Sequence, residues 1–173
     1  MRYTRVVVEG FGYELAPCIV SSDELEERLA PVYEKLHVQP GQLFQMTGIR
    51  ERRYWDPGYS VTEGATAAAG HALRESQVPA DAIDVLIYAG VCREHFEPAT
   101  ACHVAAALQG RGEVINPSAH VYDISNACLG VLNGMLDIAN RIELGQIRAG
   151  MVVSCETARD IVDTTIARLT NEP

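Results

Sequence analysis

Basic residues are scarce in this chain. Fourteen lysines and arginines stand against 23 aspartates and glutamates, a net charge of −9 over 173 residues. A nucleic-acid surface needs a basic face, so that class of partner is excluded. No apolar run reaches the ~18–20 residues of a membrane-spanning helix, and no signal-peptide pattern opens the chain, so a cytoplasmic location is expected. The five cysteines are an odd set with no Cys-x-x-Cys and no framework spacing, which argues for a reducing compartment and against a thiol-redox pair. A zinc site is weakly supported. Cys92, His95, Cys102 and His103 are ligand types, but the second pair is adjacent, and two neighbours on a helix cannot both face one ion. No metal site is expected.

What remains describes an ordinary globular protein, with 47% hydrophobic and 21% charged residues. The length suits one sizeable core, either one domain or one half of a duplicated one. Tyr3 to Tyr13, with its Val6-Val7-Val8 run, reads as a first strand. Ser22 reads as the cap of a helix bearing Glu24, Glu26 and Glu27 near its positive end. An alanine-rich helix to about Gln77 precedes Ile83–Ala89, a continuous apolar run of the parallel-sheet type. Ala99–Leu108 reads as a small-residue helix and Ala149–Cys155 as a last strand, followed by a helix over Ala158–Leu169. Alternating strands and helices predict an α/β fold with a mainly parallel sheet.

The most informative stretch runs from Val121 to Gly134. β-formers lead into Ser125-Asn126, which supplies turn chemistry. Leu129, Leu132, Met135, Leu136, Ala139 and Ile142 then recur at helical spacing, with a polar stripe narrow enough to predict a mostly buried helix. Gly130 and Gly134 share one face, where another backbone can approach. Cys128 stands at the corner, and a thiol at the first turn of a helix meets unpaired N–H groups that favour the thiolate. On residue type alone, a buried cysteine packing as a small hydrophobe is an equal reading.

Asp123-Ile124-Ser125-Asn126-Ala127-Cys128-Leu129-Gly130 resembles the nucleophile elbow of thiolase-superfamily condensing enzymes, above all the 3-oxoacyl-(acyl carrier protein) synthase III group. Thr47-Gly48-Ile49-Arg50-Glu51-Arg52-Arg53 resembles the Thr-Gly-Ile-x-x-Arg segment of the same group. The likeness covers residues 1–173 as the N-terminal half of the family's fold. It implies a five-stranded mixed sheet flanked by helices, an acyl-cysteine at Cys128, and acyl-CoA or acyl-carrier-protein thioesters as substrates with no bound cofactor. It also implies a homodimer or larger assembly, and a C-terminal half or second polypeptide. In the family, a His and usually an Asn or second His from that other half stabilise the oxyanion. His37, His71, His95, His103 and His120 all precede Cys128, so this chain alone is not expected to turn over.

Glu97, in Phe96-Glu97-Pro98-Ala99-Thr100, resembles a feature of one branch only, the head-to-head condensing enzymes of olefin and β-lactone pathways. There the matching Glu enters the neighbouring subunit's site and acts as base on a second acyl chain. The Trp55-Asp56 pair also resembles that branch. Read as a residue alone, Glu97 is equally a helix-entry acid. Arg50, Arg52 and Arg53 are the one concentrated basic patch, suited to coenzyme A phosphates or an acidic carrier protein, or else a solvated strand edge. Where synthase III relatives clamp adenine with a Trp and an Arg, this chain has Gln42 and Met46. A malonyl-using synthase III and a non-catalytic partner subunit are the alternative functions. The retained Cys128 argues against the latter.

Overall fold

The computed structural model describes residues 2–171. In chain order they form β1 (Cys18–Ser21), α1 (Ser22–Arg28), α2 (Ala30–Leu36), α3 (Gln42–Thr47), β2 (Glu51–Tyr54), α4 (Val61–Ser76), β3 (Ile83–Tyr88), α5 (Thr100–Gly110), β4 (His120–Asp123), α6 (Gly130–Glu143), β5 (Ala149–Val153) and α7 (Arg159–Asn171). Single 3-10 turns lie at Ala80–Ala82 and Ala127–Leu129. Two compact units emerge. The first joins the residues up to Glu14 with Ser60–Glu156, and the second joins Leu15–Tyr59 with the residues from Thr157 onward.

β3 is the centre of the first unit, with β4 and β5 parallel on either side. Val85, Leu86, Ile87 and Tyr88 are fully buried, as a strand covered on both faces requires. Side chains alternate along β3. Val85 and Ile87 meet Ile138 of α6, with Tyr122, Ile142 and Val152 around them, while Leu86 and Tyr88 face the other side. The steps β3 to β4 and β4 to β5 run in opposite directions across the sheet, so right-handed crossovers put α5 and α6 on opposite faces. α6 lies very close to the sheet at Gly134, where a Cβ would come within 3.0 Å of both Val152 methyl groups.

Among the described residues the strands number five, as expected, but they form two sheets: this parallel core and an antiparallel ribbon of β1 and β2 in the second unit, where β1 is a strand the sequence pattern does not announce. The expected strand over Tyr3–Tyr13 is not one. Among the described residues it forms no strand, and Glu143 takes up polar groups near its start. The Glu143 carboxylate accepts from the N–H groups of Thr4 (3.0 Å) and Arg5 (2.9 Å) and from the Thr4 hydroxyl (2.7 Å). Farther on, Gly12 presses against α4 so closely that a Cβ there would lie 2.1 Å from the Ala68 carbonyl oxygen. Val7, Val8, Phe11 and Tyr13 stay exposed.

α6 departs from expectation too. Gly130, Gly134, Ile138 and Ala139 are buried, but Leu129, Val131, Leu132 and Leu136 are 39–55% exposed. One sheet covers one stripe of a helix, so the wide apolar arc read in the sequence leaves a second face open.

In the second unit Val20, Leu25, Tyr54 and Ile166 form the core, with Leu29, Leu43 and Val162 against it. Ser21, not Ser22, caps α1, accepting from the Glu24 N–H at 3.0 Å. Ser22 is buried and donates to the Ile49 carbonyl. Glu26 is buried as well, and its carboxylate accepts from the N–H groups of Gly41 and Leu43 and from the Tyr33 hydroxyl. The bonds from Gly41 and then Leu43 hold its carboxyl below the usual glutamate range, against the opposing effect of burial.

A depressed carboxyl pKa stabilises the fold above the unfolded value and loses that contribution as pH falls through the folded one. Glu26→Gln should therefore destabilise the protein at pH 7. The gap to the parent should narrow as pH drops below about 4.3, the ordinary glutamate value. Urea unfolding at a series of pH values checks this. A gap independent of pH would mean that the carboxylate charge contributes nothing.

Candidate active site

After β4 the chain makes one more sheet bond, from the Ile124 N–H to the Tyr88 carbonyl at 2.9 Å, and then turns. The turn is strained. Asn126 has φ −149° and ψ 47°, and Ala127 has φ +42°, a left-handed conformation costing a non-glycine residue about 1–2 kcal/mol. Two bonds brace it: the Leu129 N–H to the Asn126 carbonyl at 2.9 Å, and the Asn126 side-chain amide to Asn133 Oδ1. Gly130 then brings the start of α6 against the end of β3, where a Cβ would sit 2.6 Å from the Ala89 carbonyl oxygen. This is the close backbone approach expected of Gly130. Cys128, in the 3-10 turn, is exposed, whereas Cys155 is buried, and all five cysteines are thiols. The elbow presents the thiol rather than packing it away.

Glu97 lies in the loop that follows the neighbouring strand. β3 and β4 are parallel, so the loops leaving their C-terminal ends share one edge of the sheet. The base of this loop is held at several points. The Tyr88 hydroxyl lies 2.7 Å from the Cys92 carbonyl and 2.8 Å from the Cys155 carbonyl, sharing its proton between them. Burial, with Glu156 nearby, raises the Tyr88 phenol well above its usual pKa, so it remains a donor. Glu156 accepts from the N–H groups of Val91 (2.7 Å) and Cys92 (3.1 Å). Glu94 accepts from the Thr62 hydroxyl at 2.8 Å. Burial pushes the Glu94 carboxyl up, but hydrogen bonds from Ser60, Thr62 and the start of α4 outweigh it and hold the group below its usual range. Asp123 closes the far end, accepting from the N–H groups of Thr100 and Ala101 at 2.9 Å each. The tip stands clear: Glu97 is exposed and Phe96 is 98% exposed.

The three arginines lie in the second unit and do not form one patch. Alternation along β2 turns Arg52 and Arg53 to opposite faces. Arg52 donates to the Ser22 hydroxyl at 2.9 Å, and Arg53 to the Ala16 carbonyl at 3.1 Å. Arg50 is exposed, with its guanidinium 5.1 Å from the centre of the Phe44 ring. Ala101 and Gly130 are buried within the chain. Among the described residues, no three His, Cys, Asp or Glu side chains group as a metal site, and no helix is long and apolar enough to cross a membrane.

Tyr88, Glu156, Glu94 and Asp123 were not singled out from sequence. Their roles are backbone bonds across long stretches of chain, which residue type does not announce. One clue was available: Ala99 stands where α5 needs a capping side chain and has none to offer, so the cap had to come from elsewhere.

No protein-family model matches the chain. Along its whole length it is 54% identical to the acyl-CoA:acyl-CoA alkyltransferase of Shewanella oneidensis, covering 48% of that protein. Over 160 residues it is 29% identical to the beta-ketoacyl-(acyl-carrier-protein) synthase III of Bordetella petrii, covering 46% of it. Among solved structures it matches Xanthomonas campestris OleA with bound lauric acid and lauroyl-CoA, in a form with a cysteine replaced by serine. The TM-score is 0.88 at 32% identity, over 98% of this chain and 49% of that one. The same protein has been solved with a glutamate replaced by aspartate. The chain thus spans about half the length of the curated relatives it matches. It belongs to the thiolase-superfamily condensing enzymes, in the group that contains the acyl-CoA:acyl-CoA alkyltransferases and the synthase III enzymes.

Proposed function

We propose that the complete protein is an acyltransferase that joins two acyl-CoA chains head to head through an acyl-cysteine. One observation carries this reading. An exposed cysteine on a strained elbow shares a sheet edge with an anchored loop that presents a glutamate, in a chain 54% identical to an acyl-CoA:acyl-CoA alkyltransferase. The Cys128 thiolate attacks the carbonyl of the first acyl-CoA and expels coenzyme A as its thiolate. Glu97 takes a proton from the α-carbon of the second acyl-CoA. The resulting carbanion attacks the acyl-cysteine carbonyl, the Cys128 thiolate leaves, and the product is a 3-oxoacyl-CoA branched at its α-carbon. The thioesters themselves activate the carbonyls, so no resident cofactor is needed. The oxyanion donors come from the remainder of the fold, as the family resemblance implies.

The protein acts in the cytoplasm as a homodimer, and the Phe96–Glu97 tip enters the partner's site. A phenylalanine 98% exposed in the single chain is the observation favouring this, because contact with a partner removes that apolar surface from water. Of the three arginines proposed to bind substrate, Arg50 is best placed to receive a coenzyme A phosphate, since Arg52 and Arg53 are engaged within the β1–β2 region.

Two measurements test the assignment in the complete assembly. Iodoacetamide should modify Cys128 before the other four cysteines; faster reaction at Cys18 or Cys155 would remove it as nucleophile. Glu97→Ala should leave acylation of Cys128 nearly intact while condensation falls ~10²–10⁴-fold, with Glu97→Asp between. Normal condensation by the alanine variant would make Glu97 a structural acid. Turnover of the unmodified assembly with malonyl-carrier protein alone would replace the head-to-head reading by that of a synthase III.

A further inference from the structure

We propose that Asp123 is a positioning residue for condensation, holding the Glu97 loop in register with the cysteine elbow. This rests on the reading of Glu97 as the base.

The first N–H groups of a helix need acceptors from outside it, and usually the residue just before the helix supplies one. Ala99 cannot. Asp123 does so instead, with one oxygen on the Thr100 N–H and the other on the Ala101 N–H, both at 2.9 Å. Its side chain is 8% exposed, and the Arg93 guanidinium lies 3.8 Å away to balance the charge. A capping side chain at position 99 would satisfy the same donors but tie the helix only to itself. A cap from β4 ties it to the next strand, and five residues past Asp123 that strand's continuation bears Cys128. Thr100 is three residues past Glu97 and Glu94, bonded to Thr62, is three residues before it, whereas the anchors at Val91 and Cys92 lie five or six residues before it. Asp123 is therefore the nearest fixed point on the C-terminal side of the glutamate, and unlike Thr62, which holds Glu94, it belongs to the cysteine's own strand. Charge-assisted bonds of this kind are short and directional, so the link transmits position.

The test is a double-mutant cycle in the complete assembly, with acylation of Cys128 and condensation measured separately. Asp123→Asn keeps one acceptor oxygen and sets an amide NH2 against the second backbone N–H. It should slow condensation by about 10- to 100-fold, the scale of a misplaced reacting group, while acylation falls far less. In a Glu97→Ala background the same change should cause no further loss, because a residue acting through Glu97 has nothing left to position. Thr100→Pro serves as the second variant should Asp123→Asn fold poorly. Proline is tolerated at the first helical position and deletes one of the two N–H donors, so a smaller loss with the same non-additivity is expected. Equal slowing of acylation and condensation, or a further loss in the Glu97→Ala background, would make Asp123 a scaffold residue only. If Glu97→Ala condenses at the normal rate, the base assignment fails first, and this proposal falls with it.

Discussion

Two backbone N–H groups at the start of α5 and one carboxylate at the end of β4 hold the candidate site together. Parallel strands place their following loops at one edge, but loops are the mobile part of an α/β fold unless something ties them. Here the tie is Asp123 on Thr100 and Ala101. The opposite end of the same loop is fixed by Tyr88 and Glu156, and its middle by Glu94 at the start of α4. Three carboxylates and a buried phenol thus hold the loop, and its Phe96–Glu97 tip is exposed.

The elbow relies on a different constraint, the room that glycine leaves. Without a side chain at Gly130, α6 starts against the Ala89 carbonyl, and Gly134 lets the next turn settle on Val152. That packing fixes where the helix begins and so obliges the connection from β4 to be abrupt. Ala127 at φ +42° is the residue that absorbs the abruptness. Strain of this size persists only where neighbours hold it, and the Asn126–Asn133 amide bond and the Asn126–Leu129 turn are the neighbours that do.

Much of this was legible in the residues. The run Ile83–Ala89 read as a parallel strand because a strand covered on both faces has no polar side, and the Gly130–Gly134 spacing read as a place of close approach. Cys128 was legible as a presented thiol only through the motif around it, since a lone cysteine reads equally well as core. Tyr3–Tyr13 misled because an extended β-rich segment has the same composition whether or not an edge pairs with it. α6 misled for a related reason: apolar periodicity shows that a face will be covered but not by what, and within this chain the buried stripe is Gly130, Gly134, Ile138 and Ala139. The arginines read as one patch because they are adjacent in sequence, yet the two-residue period of a strand separates Arg52 from Arg53. The division into two units was hidden because each is assembled from two segments that alternate along the chain.

The central claim is that Cys128 takes up an acyl group from a thioester. Peptide mapping by mass spectrometry, after the complete assembly is incubated with a long-chain acyl-CoA and quenched in acid, tests this most directly. The account predicts one acyl adduct, on the peptide containing Cys128, lost on treatment with hydroxylamine as a thioester should be. Acyl transfer to any other cysteine, or turnover with Cys128 never modified, would contradict it.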